Sequence, residues 1–96
     1  DTGVSGKAAQ KIGIKLREIG KVRQVICVTH LSQIAVMADN HLLIEKQIVG
    51  DRTETHVMQL DMDGRVSEIA RIMGGDDPSA LMLDNARAEI EKASEL

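Results

Sequence analysis

The sequence contains no Phe, Tyr or Trp. Its core must be built from Ile, Leu, Val, Met and Ala, and aromatic stacking on bases, a common grip on single-stranded nucleic acid, is excluded. Cys27 is the only cysteine, which rules out an internal disulfide and fits a reducing, cytoplasmic setting. No apolar run approaches the ~20 residues that span a bilayer, and no signal-peptide pattern opens the chain, so no membrane partner is expected. Three histidines, far apart and with a single cysteine, match no zinc spacing. The formal charge is −3 and basic residues look dispersed, so no broad phosphate-binding face is visible. Direct DNA binding by this stretch alone is not expected.

What is present centres on Gln24-Val25-Ile26-Cys27-Val28-Thr29-His30-Leu31. An unbroken apolar run without polar alternation reads as a strand buried on both faces, as in a parallel sheet covered by helices, with Cys27 inside it. Ligands of open α/β sheets bind just beyond the carboxyl ends of the strands. Thr29 and His30 occupy that end, which makes His30 the leading functional residue and Thr29 a secondary candidate. A neutral imidazole there can donate to a phosphate oxygen while its second nitrogen is held by another group.

Around this strand the pattern predicts an α/β arrangement: helix, strand and helix, then a β ribbon and two further helices. The first helix covers about residues 6–19, with Ser5 as N-cap, Gly20 as stop and Ala8, Ile12, Leu16 and Ile19 as its apolar stripe. Lys7, Lys11, Lys15 and Arg17 take its wetter side. Gly13 weakens that helix by roughly 1 kcal/mol relative to Ala, which points to a close packing partner. A second helix is predicted over about 32–38 and strands over 41–46 and 53–60, with 47–52 as a hairpin loop. Asp61-Met62-Asp63-Gly64 closes the ribbon. Helices then cover 65–73 and 79–93, the last with Leu81, Leu83, Ala86, Ile90 and Ala93 as apolar positions. His41 and His56 read as surface residues on the outer strands, and Glu89, Glu91 and Lys92 as a solvated helix face.

Several constellations are set aside. Gly3-Val4-Ser5-Gly6-Lys7 is no Walker A loop, because only two residues separate its glycines and Ala8 follows the lysine. Asp61, Asp63, Asp76 and Asp77 fit turns and caps rather than a calcium loop. Cys27 within a strand is not an exposed, electropositive nucleophile. Asp1-Thr2-Gly3 reads as the middle of a loop, and one buried parallel strand does not make a sheet. The expectation is a segment whose remaining sheet lies elsewhere in a parent protein.

Together, Asp1-Thr2-Gly3-Val4-Ser5-Gly6-Lys7-Ala8-Ala9 and Val28-Thr29-His30-Leu31-Ser32-Gln33-Ile34-Ala35 resemble the C-terminal ATPase lobe of the RecN family. These are bacterial DNA double-strand-break repair proteins related to the SMC and ABC-type ATPases. Glu68-Ile69-Ala70-Arg71-Ile72-Met73-Gly74-Gly75 matches the family's style, and the likeness covers almost the whole chain. The resemblance implies that residues 1–96 form the C-terminal part of an ABC-type ATPase head. Asp1, Thr2, Gly3, Val4, Ser5 and Gly6 would be the D-loop at the interface of two heads, and His30 the switch histidine at the γ-phosphate.

The same resemblance implies ATP and Mg2+ as cofactors of the intact protein and a cytoplasmic, nucleoid-associated role. Its partners would be the N-terminal half of the head, a second head in an ATP-dependent dimer, and DNA through the intact protein. Walker A, the Q-loop, the signature motif and the Walker B carboxylates are missing from these residues. The main supports of phosphoryl transfer are then absent, and the isolated segment should neither bind ATP tightly nor hydrolyse it. Uncovered sheet edges and apolar surface predict self-association. The rival reading is a self-contained protein-interaction or regulatory α/β module without nucleotide chemistry, supported by the acidic balance and the incomplete catalytic set.

Overall fold

The computed structural model describes residues 6–96. Its elements run α1 (Gly6–Gly20), α2 (Ser32–Ala35), β1 (Leu42–Val49), β2 (Arg52–Gln59), α3 (Met62–Gly74) and α4 (Ala80–Ser94). Helix and strand are thus mixed as the pattern predicts, but the sheet among the described residues is one antiparallel ribbon of β1 and β2.

The centre of the fold lies where α3 packs against α4. Val66, Ile69 and Ala70 on α3 meet Ala86, Ile90 and Ala93 on α4, with Ala35, Val36 and Met37 completing the cluster. Alanine at the contact positions lets the helices approach closely, so Ile69 and Ile90 are the largest side chains fully enclosed. Ile14, Ile72, Met82 and Leu83 pack against the rim. Leu81, expected among the apolar packing positions, instead points to solvent. The spacing of Ala86, Ile90 and Ala93 selects one stripe, and Leu81 falls off it. Glu89, Glu91 and Lys92 are exposed as anticipated.

Both C-terminal helices begin with side-chain caps. Asp61 accepts a hydrogen bond from the Gly64 amide at 2.8 Å, and Ser79 accepts one from the Met82 amide at 3.1 Å. Each satisfies a backbone donor that the first helical turn leaves without a partner. Asp61-Met62-Asp63 is therefore a cap and opening turn rather than a ribbon closure, and α3 starts three residues earlier than residue 65.

The ribbon is longer than the sequence suggests. Register runs from Leu42 opposite Gln59 to Val49 opposite Arg52, leaving only Gly50 and Asp51 as the loop. Gly50 has φ of 66°, a conformation a two-residue hairpin requires at its first loop position and that costs glycine nothing. The β-branched Ile48 and Val49 suit a pleated strand, and pairing extends through them to the turn.

α1 packs through a different face from the one its hydropathy marks. Ala9 and Gly13 are its buried residues, whereas Ala8 is exposed and Ile12 and Ile19 are half-open. A Cβ at Gly13 would lie 2.9 Å from Met37 Cγ and 3.1 Å from the Gln33 carbonyl oxygen. The close partner foreseen for this glycine is thus the α2 segment. The small face wins because α2 can only approach where no side chain stands. Arg17 is not on the wet side either: its side chain is 18% exposed, with one guanidinium nitrogen 3.7 Å from Asp39 Oδ1.

Candidate functional site

Residues 24–31 hold the segment singled out by sequence, and here the structure corrects the expectation. They form neither helix nor strand. Ile26 is 82% exposed and Val28 87%, and Cys27 is exposed rather than interior. A strand buried on both faces needs neighbours along both edges and helices above and below. The described residues supply no such neighbours, because β1 and β2 pair with each other. An apolar run of this kind therefore stands open, together with the exposed Val22 before it and the half-open Val25.

At its end the chain turns sharply into α2. The Leu31 amide donates to Thr29 Oγ1 at 3.0 Å, a side-chain turn that closes over His30. Leu31 itself is extended, with φ −98° and ψ 123°, and serves as the residue before the helix. Thr29 thus has a local structural task, and one of its acceptor sites is occupied. His30 is exposed, and among the described residues it makes no hydrogen bond or ion pair. Its imidazole is held out at the tip of this turn.

The start of α1 lies beside the same turn. A Cβ at Gly6 would come 3.2 Å from Gln33 Nε2, two residues beyond Leu31. The fold therefore brings Gly6 and the residues following His30 into one neighbourhood. Asp1, Thr2, Gly3, Val4 and Ser5 lie outside the described residues, so the proposed D-loop is represented only by Gly6.

A second cluster went unnoticed in the sequence. His41 is half-buried, not a surface residue, and its Nδ1 is enclosed without a hydrogen-bond partner among the described residues. Burial pushes its imidazole below the ordinary range, the Arg65 charge adds to that, and Glu68 opposes it. Arg65 donates to the carbonyls of Ala38 at 3.1 Å and Val36 at 3.4 Å, closing the turn after α2. Burial and the nearby Arg17 charge lower the Arg65 pKa, while Asp39 raises it. Glu68 is buried on α3 and accepts from Arg71 Nε at 2.6 Å. The i,i+3 spacing of Glu68 and Arg71 was the available signal for that pair. His56, by contrast, is exposed as expected and stands 3.3 Å from Glu54.

Arg65 ties α3 to the turn after α2, Arg17 and Asp39 tie α1 to that turn, and Glu68 with Arg71 braces α3 itself. Among the described residues, no three His, Cys, Asp or Glu side chains are gathered so as to hold a metal ion. No helix of the described residues is long and apolar enough to cross a membrane.

The structure is that of a mixed helix and strand segment with a helical core, one ribbon and an open apolar stretch. No family model matches the chain. Curated proteins similar to the chain include several DNA repair proteins named RecN. It is 43% identical over 96 residues, all of the chain, to the DNA repair protein RecN of Halalkalibacterium halodurans. It is 40% identical over 96 residues to RecN of Bacillus subtilis, and 40% over 87 residues, 91% of the chain, to RecN of Vibrio cholerae. The chain spans 16–17% of the length of these relatives. It belongs with RecN, as the counterpart of one segment of those DNA repair proteins.

Proposed function

We propose that this chain is the C-terminal part of a RecN-type, ABC-class ATPase head and serves DNA double-strand-break repair and recombination through the intact protein. The observation that carries the reading is the open run at residues 24–28, which ends on the Thr29 turn and the outward imidazole of His30. An N-terminal half would supply flanking strands, cover Ile26 and Val28, and turn this run into an interior strand. Burying each such side chain is worth about 1.5–3 kcal/mol, a contribution set against the cost of association.

In that assembly His30 is the switch histidine, placing one N–H donor at the γ-phosphate position. Asp1, Thr2, Gly3, Val4, Ser5 and Gly6 form the D-loop and relay occupancy to a second head. The proximity of Gly6 to Gln33 supports a link between these two elements. The described residues fit only one edge of a nucleotide, a single imidazole donor. They offer no phosphate cradle and no carboxylate set for Mg2+, so ATP and Mg2+ belong to the completed head. Association of heads and their release would hold and free broken DNA ends in the cytoplasm, at the nucleoid.

Co-expression of this chain with the N-terminal half of a RecN head tests the reading. ATP-dependent dimerisation is expected, and His30→Ala in the intact protein should slow hydrolysis far more than it weakens ATP binding. Unchanged turnover in that variant refutes the assignment of His30. Failure of the two halves to associate favours an independent interaction module.

A further inference from the structure

Half of the chain's basic residues are gathered at one end. Residues 6–23 hold six of the twelve Lys and Arg but only one of the fifteen Asp and Glu, a local charge of +5. Residues 24–96 hold the other six against thirteen acidic residues, a charge of −7. The dispersed look of the basic residues along the sequence is thus misleading once α1 is in place. Lys7, Lys11 and Lys15 are all exposed and recur every fourth residue, so they stack into one ridge. Ala9 and Gly13 face α2 on the opposite side of the helix. Neighbouring like charges at this spacing destabilise a helix. Among the described residues, the only ion pair answering the ridge is Lys15 with Glu18, at 3.6 Å.

We infer that the Lys7, Lys11 and Lys15 ridge of α1 is a contact surface for the sugar–phosphate backbone of duplex DNA. The inference rests on the DNA-repair reading above for its choice of polyanion, and adds a site within this segment. A rise of ~1.5 Å per residue places the three ammonium stems ~6 Å apart over ~12 Å. Duplex DNA presents a negative charge every ~1.7 Å of axis, so roughly seven phosphates lie along that length. Lysine offers a point charge rather than the bidentate fork that reads guanine, and the chain has no aromatic ring to stack on bases. The ridge therefore holds the backbone without reading sequence.

The test is fluorescence anisotropy of a labelled 30-base-pair duplex titrated with the full 96-residue chain at several salt concentrations. Three phosphate contacts give a log–log salt slope near −2.7, in a dissociation range of roughly 10−4 to 10−6 M for sequence-independent binding. The triple variant Lys7→Gln, Lys11→Gln, Lys15→Gln should lose at least ~10-fold in affinity and most of that slope. A control triple, Lys46→Gln, Arg52→Gln, Lys92→Gln, removes the same charge elsewhere and should change affinity less than ~2-fold, with circular dichroism confirming that both fold. Equal losses in the two triples, unchanged binding in the ridge triple, or no binding by the unaltered chain overturns the inference. So does a ridge that takes poly-glutamate or anionic phosphatidylserine vesicles but not duplex. The ATPase reading is tested apart from this, by His30→Ala in the assembled protein. Duplex binding that persists while that test fails leaves the ridge standing.

Discussion

The Arg17 guanidinium donates a hydrogen bond to the backbone carbonyl of Ala93, joining α1 to the last turn of α4. The carbonyls of a helix's final turn have no partners within the helix, and a cation there also meets the negative end of the dipole. With its side chain mostly enclosed and Asp39 close by, Arg17 fastens three separated parts of the chain. Replacing Arg17 with Met keeps the stem but removes the donor, and should cost about 1–3 kcal/mol in urea unfolding. Amide exchange should quicken first at residues 91–94. A change below about 0.5 kcal/mol would show that the bond is replaced by water at no loss.

The closeness of α1 to α2 predicts opposite outcomes at two glycines. An alanine is favoured over glycine in a helix by about 1 kcal/mol. At Gly20 nothing lies within 4 Å of the added Cβ, so Gly20→Ala should raise stability by up to that amount. At Gly13 the new carbon would press on Met37 Cγ and on the Gln33 carbonyl. Overpacking of that kind costs about 1–3 kcal/mol, so Gly13→Ala should be neutral to destabilising despite its better propensity. Thermal midpoints of the two variants moving the same way would contradict the described approach.

These examples show what could be read from residues alone. Local signals survived well: the cap role of Asp61, the need for a partner at Gly13 and the α4 stripe apart from Leu81 all depend on near neighbours in sequence. The facing of α1 was not legible, because hydropathy favours Ala8, Ile12, Leu16 and Ile19 whereas packing is decided by which side α2 can reach. The half-burial of His41 was hidden for the same reason, since Arg65 and Glu68 come from a helix more than twenty residues away. At residues 24–28 the composition predicts an interior strand, and the structure instead leaves the run open and unpaired. An interior strand depends on neighbouring strands that the described residues do not provide.

Two isoleucines separate core stability from docking. Ile69 is fully enclosed and Ile26 is 82% exposed. Ile69→Ala should cost about 2–5 kcal/mol, whereas Ile26→Asp should leave the isolated chain's stability within about 0.5 kcal/mol. If the open run is an adhesive surface, Ile26→Asp should also lower self-association in sedimentation and block pairing with an N-terminal half. Unchanged sedimentation would place the sticky surface elsewhere, the open faces of α1 and the ribbon being next in line.

His41 predicts how stability responds to acid. Burial first, and the Arg65 charge second, hold its imidazole below the ordinary value near 6.5, with Glu68 only partly offsetting them. The folded chain therefore binds fewer protons than the unfolded chain once the pH drops below that value, and stability falls with it. The contribution is complete above about pH 6.5, declines as pH falls toward the lowered folded value, and levels off beneath it. His41→Gln retains a hydrogen-bonding side chain of similar reach but does not titrate. The difference in unfolding free energy between wild type and His41→Gln should be constant between pH 7 and 8 and shift against wild type on acidification. The enclosed Nδ1 explains the direction, since a proton there would put a charge beside Arg65 with no acceptor at hand. Parallel stability curves for the two proteins from pH 8 to 5 would mean that His41 is solvated, contrary to its described position.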